Sequence, residues 1–289
     1  MGCPEEQGKP TMLIRIGYDI AYEVTAPTPM ILMLYVHPER MRDLRARELL
    51  IAEPAVELEN FTDSFGNRCA KIIAPPGVIR LTCDTVIEDN GLPEPAFPLA
   101  VQHPIEELPL DVLPFLLGSR YCEVSKLNNI AWQLFGHTQP GWPRVQAICD
   151  WVHQHVTFGY QFAREDRTAY EVYEEKRGVC RDFMHLALTF CRCMNIPARY
   201  ATGYLGDIGV PAVPSPMDFS AFFQAYLSGR WHAFDARHNE RRIGRVAMAY
   251  GRDAVDVALT TTFGKHTLRK FQVWTDELPA IPQALAAVG

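Results

Sequence analysis

The chain has 289 residues, of which 48% are hydrophobic and 21% charged, and its formal net charge is −6. This length fits one large or two modest domains with ample core, and the balance is that of an ordinary soluble globular chain. The negative charge gives no reason to expect a nucleic-acid partner.

Residues 1–11 read as a loose leader; the opening Met1-Gly2-Cys3-Pro4-Glu5-Glu6 lacks the Ser or Thr that myristoylation needs at position six. Residues 12–105 read as a β-rich domain. Short alternating runs occur at Leu13 to Val24, Met30 to Val36, Arg68 to Ile73 and Val78 to Glu88. Turn signals separate them at Pro27-Thr28-Pro29, Asp63-Ser64-Phe65-Gly66, Pro75-Pro76-Gly77 and Asp89-Asn90-Gly91, a pattern that suggests a β-sandwich. Gly91 to Pro109 is proline-rich and reads as a linker.

Residues 106–265 form the second expected unit, and helical patterns begin there. Glu123 to Phe135 is one helix, and Pro143 to His153, with proline at its start, is another. An acidic helical run, Tyr170 to Lys176, leads into Arg177-Gly178-Val179-Cys180-Arg181-Asp182-Phe183. A helix starting at Cys180 has an apolar stripe of Phe183, Met184, Ala187, Leu188, Cys191 and Met194, and Asn195 with Pro197 ends it. Cys180 therefore sits at a helix N-terminus, where unpaired N–H groups and the helix dipole favour a thiolate. His185 lies about 500° of helix rotation further on, so it diverges from the sulfur and reads as structural.

Ile196 to Leu205 reads as a strand, and Asp218 to Leu227 with Arg230 to Ala236 as a hairpin closed by Ser228-Gly229. That turn sets Leu227 opposite Arg230, Phe222 opposite Asp235 and Ser220 opposite Arg237, with His232 on the other face. Phe271 to Trp274 reads as a last strand within a C-terminal segment 266–289.

The segment from about Pro143 to Asn239 resembles the core of the transglutaminase-like superfamily, the papain-related cysteine transferases and proteases. The resemblance rests on the Cys180 window with His185, on Ile196-Pro197-Ala198-Arg199-Tyr200 and Gly203-Tyr204-Leu205, and on the hairpin closing at Trp231 and Phe234-Asp235. It implies an α+β fold: a papain-like transglutaminase core, with the Cys-bearing helix packed on an antiparallel sheet, behind an N-terminal β-sandwich-like domain. It implies a Cys-His-Asp triad, to which Cys180 and Asp235 correspond. The family's His-Ala-Trp step falls on Ser220-Ala221-Phe222, so Ser220 occupies the histidine position. A serine hydroxyl cannot accept and return a proton near neutral pH. His238, just past the hairpin, is the expected substitute base if the chain turns back there; His232 and His185 face away.

The implied chemistry is attack of the Cys180 thiolate on a peptide or glutamine carboxamide carbonyl, giving a thioester that water or an amine resolves. Protease, amidase and transamidase share this first half-reaction. The alternative is a degenerate, non-catalytic peptide-binding member, with Ser220 as its support. The expected partner is a peptide or protein substrate, with no nucleic acid and no membrane. No cofactor is expected, and no metal, because His153-x-His155 and Cys191-x-Cys193 diverge within their helices. Eight cysteines with no other short pairing, and no apolar leader, suggest a reducing, cytoplasmic setting.

Overall fold

The computed structural model describes residues 11–213 and 217–279, so nearly all of the expected leader and the end of the tail lie outside the described residues. The first part consists of β1 (Met12–Val24), β2 (Thr28–Leu32), β3 (Ile51–Glu53), β4 (Glu59–Thr62), β5 (Arg68–Ala74) and β6 (Gly77–Asp89). The second consists of α1 (Val124–Phe135), α2 (Trp142–His155), β7 (Thr157–Phe158), α3 (Ala169–Glu175), β8 (Arg177–Gly178), α4 (Cys180–Cys193), β9 (Ala198–Tyr204), β10 (Ser220–Leu227), β11 (Arg230–Phe234) and β12 (Val246–Gly251). Strands β13 (Thr260–Thr262) and β14 (His266–Glu277) follow.

Two four-stranded sheets, in the orders β14-β1-β6-β3 and β13-β2-β5-β4, face one another. On β6, Ile79, Leu81, Cys83 and Ile87 point inward while Arg80 and Asp84 point out, the period-two pattern of a half-buried strand. Ile14, Ile16, Tyr18 and Ile20 of β1 meet Met30, Leu32, Ala70 and Ile72 from the other sheet. The expected last strand, Phe271 to Trp274, is longer than its apolar centre suggests. It pairs with β1 from Ile14–Glu277 to Val24–His266, with a bulge at Ala21/Tyr22. Together with β13 on β2, this returns the chain to the sandwich after the core has been built.

The core sheet runs β11-β10-β9-β12 and is antiparallel throughout. One face carries Ala221, Phe223, Ala225, Leu227 and Phe234, and α4 packs there. Helices α1, α2 and α3 close round α4, whose residues from Asp182 to Cys193 are all buried. From the same sheet, Tyr204, Val246 and Met248 enter the sandwich core and join the two parts.

The hairpin has the expected register, from Leu227–Arg230 to Phe223–Phe234. Ser228 (φ 48°) and Gly229 (φ 76°) both take positive φ, as a two-residue primed turn requires. The ladder stops at Phe223–Phe234, so the expected Phe222–Asp235 and Ser220–Arg237 pairs do not form. At Asp235 the chain leaves the strand and turns: the Asn239 N–H donates to the Asp235 carbonyl at 2.8 Å.

Candidate active site

The site is built where α3 hands over to α4. Strand β8 pairs in parallel with β7, which fixes Gly178 beside Phe158. A side chain at Gly178 would not fit, because a Cβ there would lie 2.5 Å from Asp182 Oδ2. That oxygen accepts the Val179 N–H at 2.9 Å and Arg167 Nη1 at 3.0 Å, and Asp182 and Arg167 are both buried. The carboxylate thus ties down the first turn of α4, half of a capping box. Cys180 is the first residue of that turn, as the sequence predicts.

Cys180 is half-buried on the wall of a cavity of about 350 Å³, which also exposes Tyr160, Asp218, Ser220, Arg237 and His238. A second cavity, of about 190 Å³, shares Cys180 and Asp218. Burial pushes the Cys180 thiol above its usual range; the Ala221 N–H opposes this, Asp218 adds to it, and Arg237 and the Arg181 N–H oppose it. This departs from the thiolate expected at a helix start. The helix end is favourable, but desolvation of the sulfur outweighs it.

Asp235 is buried and fully engaged. Its Oδ1 accepts the N–H groups of Arg237 and His238 at 3.0 Å each, and its Oδ2 accepts His238 Nδ1 at 2.8 Å and Arg245 Nη2 at 2.9 Å. Burial alone would raise this carboxyl, but the bond from His238 and the charge of Arg245 hold it well below the usual carboxylate range. Arg245 is held in turn by Glu94 of the linker, Nε to Oε1 at 2.7 Å. The turn after β11 therefore joins His238 to Asp235, and His238 and Cys180 line one cavity. Ser220 lines it too, and its buried Oγ has no hydrogen-bond partner among the described residues.

Four other histidines are engaged within the fold. His185 is fully buried, stacks on Tyr121 at 5.0 Å and accepts the Ala254 N–H at 3.1 Å. His232 is buried and bonds the Leu227 carbonyl. His153 reaches the Arg237 carbonyl and His155 that of Tyr173, two separate targets. No group of three or more His, Cys, Asp or Glu side chains is placed to hold a metal ion among the described residues. Likewise, no helix among them is long and apolar enough to cross a membrane. Nothing local in the sequence marks Arg245, Glu94, Arg167 or the position of Asp218; Asp182, by contrast, leaves a local signal as an acid three residues after Val179 at a helix start.

A helix-borne cysteine that lines one cavity with a histidine bonded to a buried aspartate, beside an antiparallel sheet, is a cysteine-enzyme type of site. Residues 129–236 match the model of the transglutaminase-like superfamily, a span that holds Cys180, Ser220 and Asp235 and ends before His238. The crystal structure of a "putative cysteine protease" from Cytophaga hutchinsonii is 31% identical, with a TM-score of 0.80, over 94% of this chain and 92% of that one. The chain belongs to the transglutaminase-like superfamily. An uncharacterized protein of Mycobacterium leprae is 37% identical over 84 residues, 28% of this chain. The kyphoscoliosis peptidase of Mus musculus is 26% identical over 145 residues, 46% of this chain. The matched segments span 30% and 22% of those two relatives' own lengths.

Proposed function

We propose that the protein cleaves or transfers acyl groups from peptide or glutamine carboxamide bonds through a thioester on Cys180, with His238 as the base. The supporting observation is the 2.8 Å contact between His238 Nδ1 and buried Asp235, with His238 on the cavity wall that also bears Cys180. Asp235 accepts a hydrogen bond from His238 Nδ1–H, which leaves Nε2 as the ring nitrogen free to act as the base. In the reaction Nε2 accepts the thiol proton as sulfur bonds to the carbonyl carbon. The carbon–nitrogen bond then breaks and the leaving amine takes the proton. Water or a second amine next attacks the thioester, gives a proton to Nε2, and the carbon–sulfur bond breaks as that proton returns to the sulfur. Backbone N–H groups at the start of α4 face the developing oxyanion charge in this scheme.

A second reading has its own observation. Ser220 stands where the family has histidine, and burial pushes the thiol up, as suits a member that binds peptide without turnover. Glutamine peptides and protein substrates, followed for ammonia, new amines and a Cys180-linked acyl mass, separate the two. On the catalytic reading Cys180→Ala is inactive and His238→Ala falls by about 10²–10⁴-fold, the usual worth of a general base. Activity indifferent to Cys180→Ala leaves the binding reading. Activity that needs Cys180 but not His238 puts the base elsewhere.

A further inference from the structure

The cavity beside Cys180 contains charged groups that the scheme above does not use. Asp207 and Glu240 lean toward Arg242, at 3.7 and 3.9 Å. Asp218 Oδ1 accepts the Phe219 N–H at 2.7 Å. Arg237 differs from these. Among the described residues, no ion pair or side-chain hydrogen bond engages its guanidinium, although its backbone is fixed at both ends. The N–H donates to Asp235 Oδ1 at 3.0 Å, and the carbonyl accepts His153 Nδ1 at 2.8 Å. The guanidinium lies 3.8 Å from the centre of the Phe158 ring. Stacking on an aromatic face holds the planar fork while its N–H donors stay free. Phe158 and Arg237 both line the cavity of Cys180 and His238.

A pre-positioned guanidinium that pairs with no carboxylate among the described residues, in a nucleophile's cavity, suits a planar two-oxygen anion, which it binds through paired N–H donors. We infer that Arg237 anchors a carboxylate of the substrate, close to the carbonyl that Cys180 attacks, so that the enzyme selects acyl donors bearing a free carboxylate over their amides. This rests on the reading of Cys180 as the attacking thiol. Asp218 sharpens the selection: its carboxylate lines the same cavity and disfavours any anion that Arg237 does not hold.

Two alkylating reagents of one chemistry test this without a known substrate. Iodoacetate and iodoacetamide each form a sulfur–carbon bond and expel iodide, and differ only in a carboxylate or an amide. The ratio of their rates at Cys180 cancels the thiolate fraction and reports recognition alone. With N-acetylcysteine as reference, the wild-type ratio should favour iodoacetate by about tenfold, the scale of one charge-assisted contact. Arg237→Gln should return the ratio to within about twofold of the reference, Arg237→Lys should restore part of it, and Asp218→Asn should raise it. A wild-type ratio equal to the reference, or one unmoved by Arg237→Gln, overturns the inference while leaving the thiol chemistry standing. Should neither reagent reach Cys180, the attacking-thiol reading fails, and the anchor is tested by itself in Cys180→Ala. There the His238 ring proton resonance, followed by NMR, should shift saturably with N-acetylglycine but not with N-acetylglycinamide. That difference should vanish in Arg237→Gln, and equal responses to acid and amide refute the anchor.

Discussion

Asp235→Ala is the perturbation the structure quantifies best. It removes the acceptor of two backbone N–H groups, of His238 Nδ1 and of Arg245 Nη2. The Arg245 side chain is only 5% exposed and cannot turn to water for a substitute. Breaking a buried ion pair from one side costs about 3–5 kcal/mol. Glu94 still neutralises Arg245, so the loss should fall near the lower end, about 3 kcal/mol in urea unfolding followed by tryptophan fluorescence. Asp235→Asn keeps an acceptor for the two N–H groups and should lose less, about 2 kcal/mol. Adding Arg245→Met to Asp235→Ala should cost less than the two single losses summed, because the contact between the two side chains is already gone. The pH dependence follows from the same contacts. The folded carboxyl ionises below its unfolded value of about 3.9, so its contribution is complete above that pH and is lost as pH falls below it. The gap between wild type and Asp235→Asn should therefore close on acidification below about pH 4. Asp235→Ala within about 0.5 kcal/mol of wild type, or strictly additive with Arg245→Met, would refute this account of the network.

Three further predictions concern the thiol. In the native protein iodoacetamide should label Cys180 ahead of Cys69, Cys83, Cys122, Cys149, Cys191 and Cys193, all of which are buried. Because burial pushes its thiol up, the labelling rate should go on climbing past the usual thiol value of about 8.5; a plateau below about pH 8 contradicts that shift. Ser220→His should place an imidazole on the cavity wall where the hydroxyl now has no partner, and should speed labelling of Cys180 at about pH 7. An unchanged rate in a variant with wild-type circular dichroism would show that position 220 does not face the sulfur.

Elements whose apolar residues follow one period were legible in the sequence. α4 shows such a stripe, although its polar Asp182, His185, Thr189 and Arg192 are buried as well, each held by hydrogen bonds that the period does not reveal. The β10–β11 register follows from Ser228-Gly229 alone, since a two-residue turn leaves the strands no freedom. The extent of β14 was not legible. Its outer residues from His266 to Phe271 are exposed, so no alternation marks them, and only the ladder to β1 makes them a strand. The closing path of the chain is likewise a long-range pairing, which no local window contains.

The site divides along the same line. Cys180 and Asp235 are marked by local context, a glycine break before a helix and a carboxylate at a strand end. Choosing His238 required a turn past β11, and the turn is itself made by Asp235, whose Oδ1 takes two successive N–H groups and curls the chain as Asp side chains do. The same carboxylate therefore sets both where His238 lies and what its Nδ1 bonds to. Extending the strand pairing through Asp235 hid this, and it also set Arg237 opposite Ser220 when the turn instead presents it to the cavity. The thiol's ionisation failed to be legible for a different reason. The helix N-terminus is a property of a few consecutive residues, whereas desolvation comes from everything packed round the sulfur, much of it from strands and loops distant in sequence. Because burial pushes the thiol up, a proton acceptor at the moment of attack gains importance, and on the proposed reading the Asp235–His238 pair matters more to Cys180 than the helix dipole does.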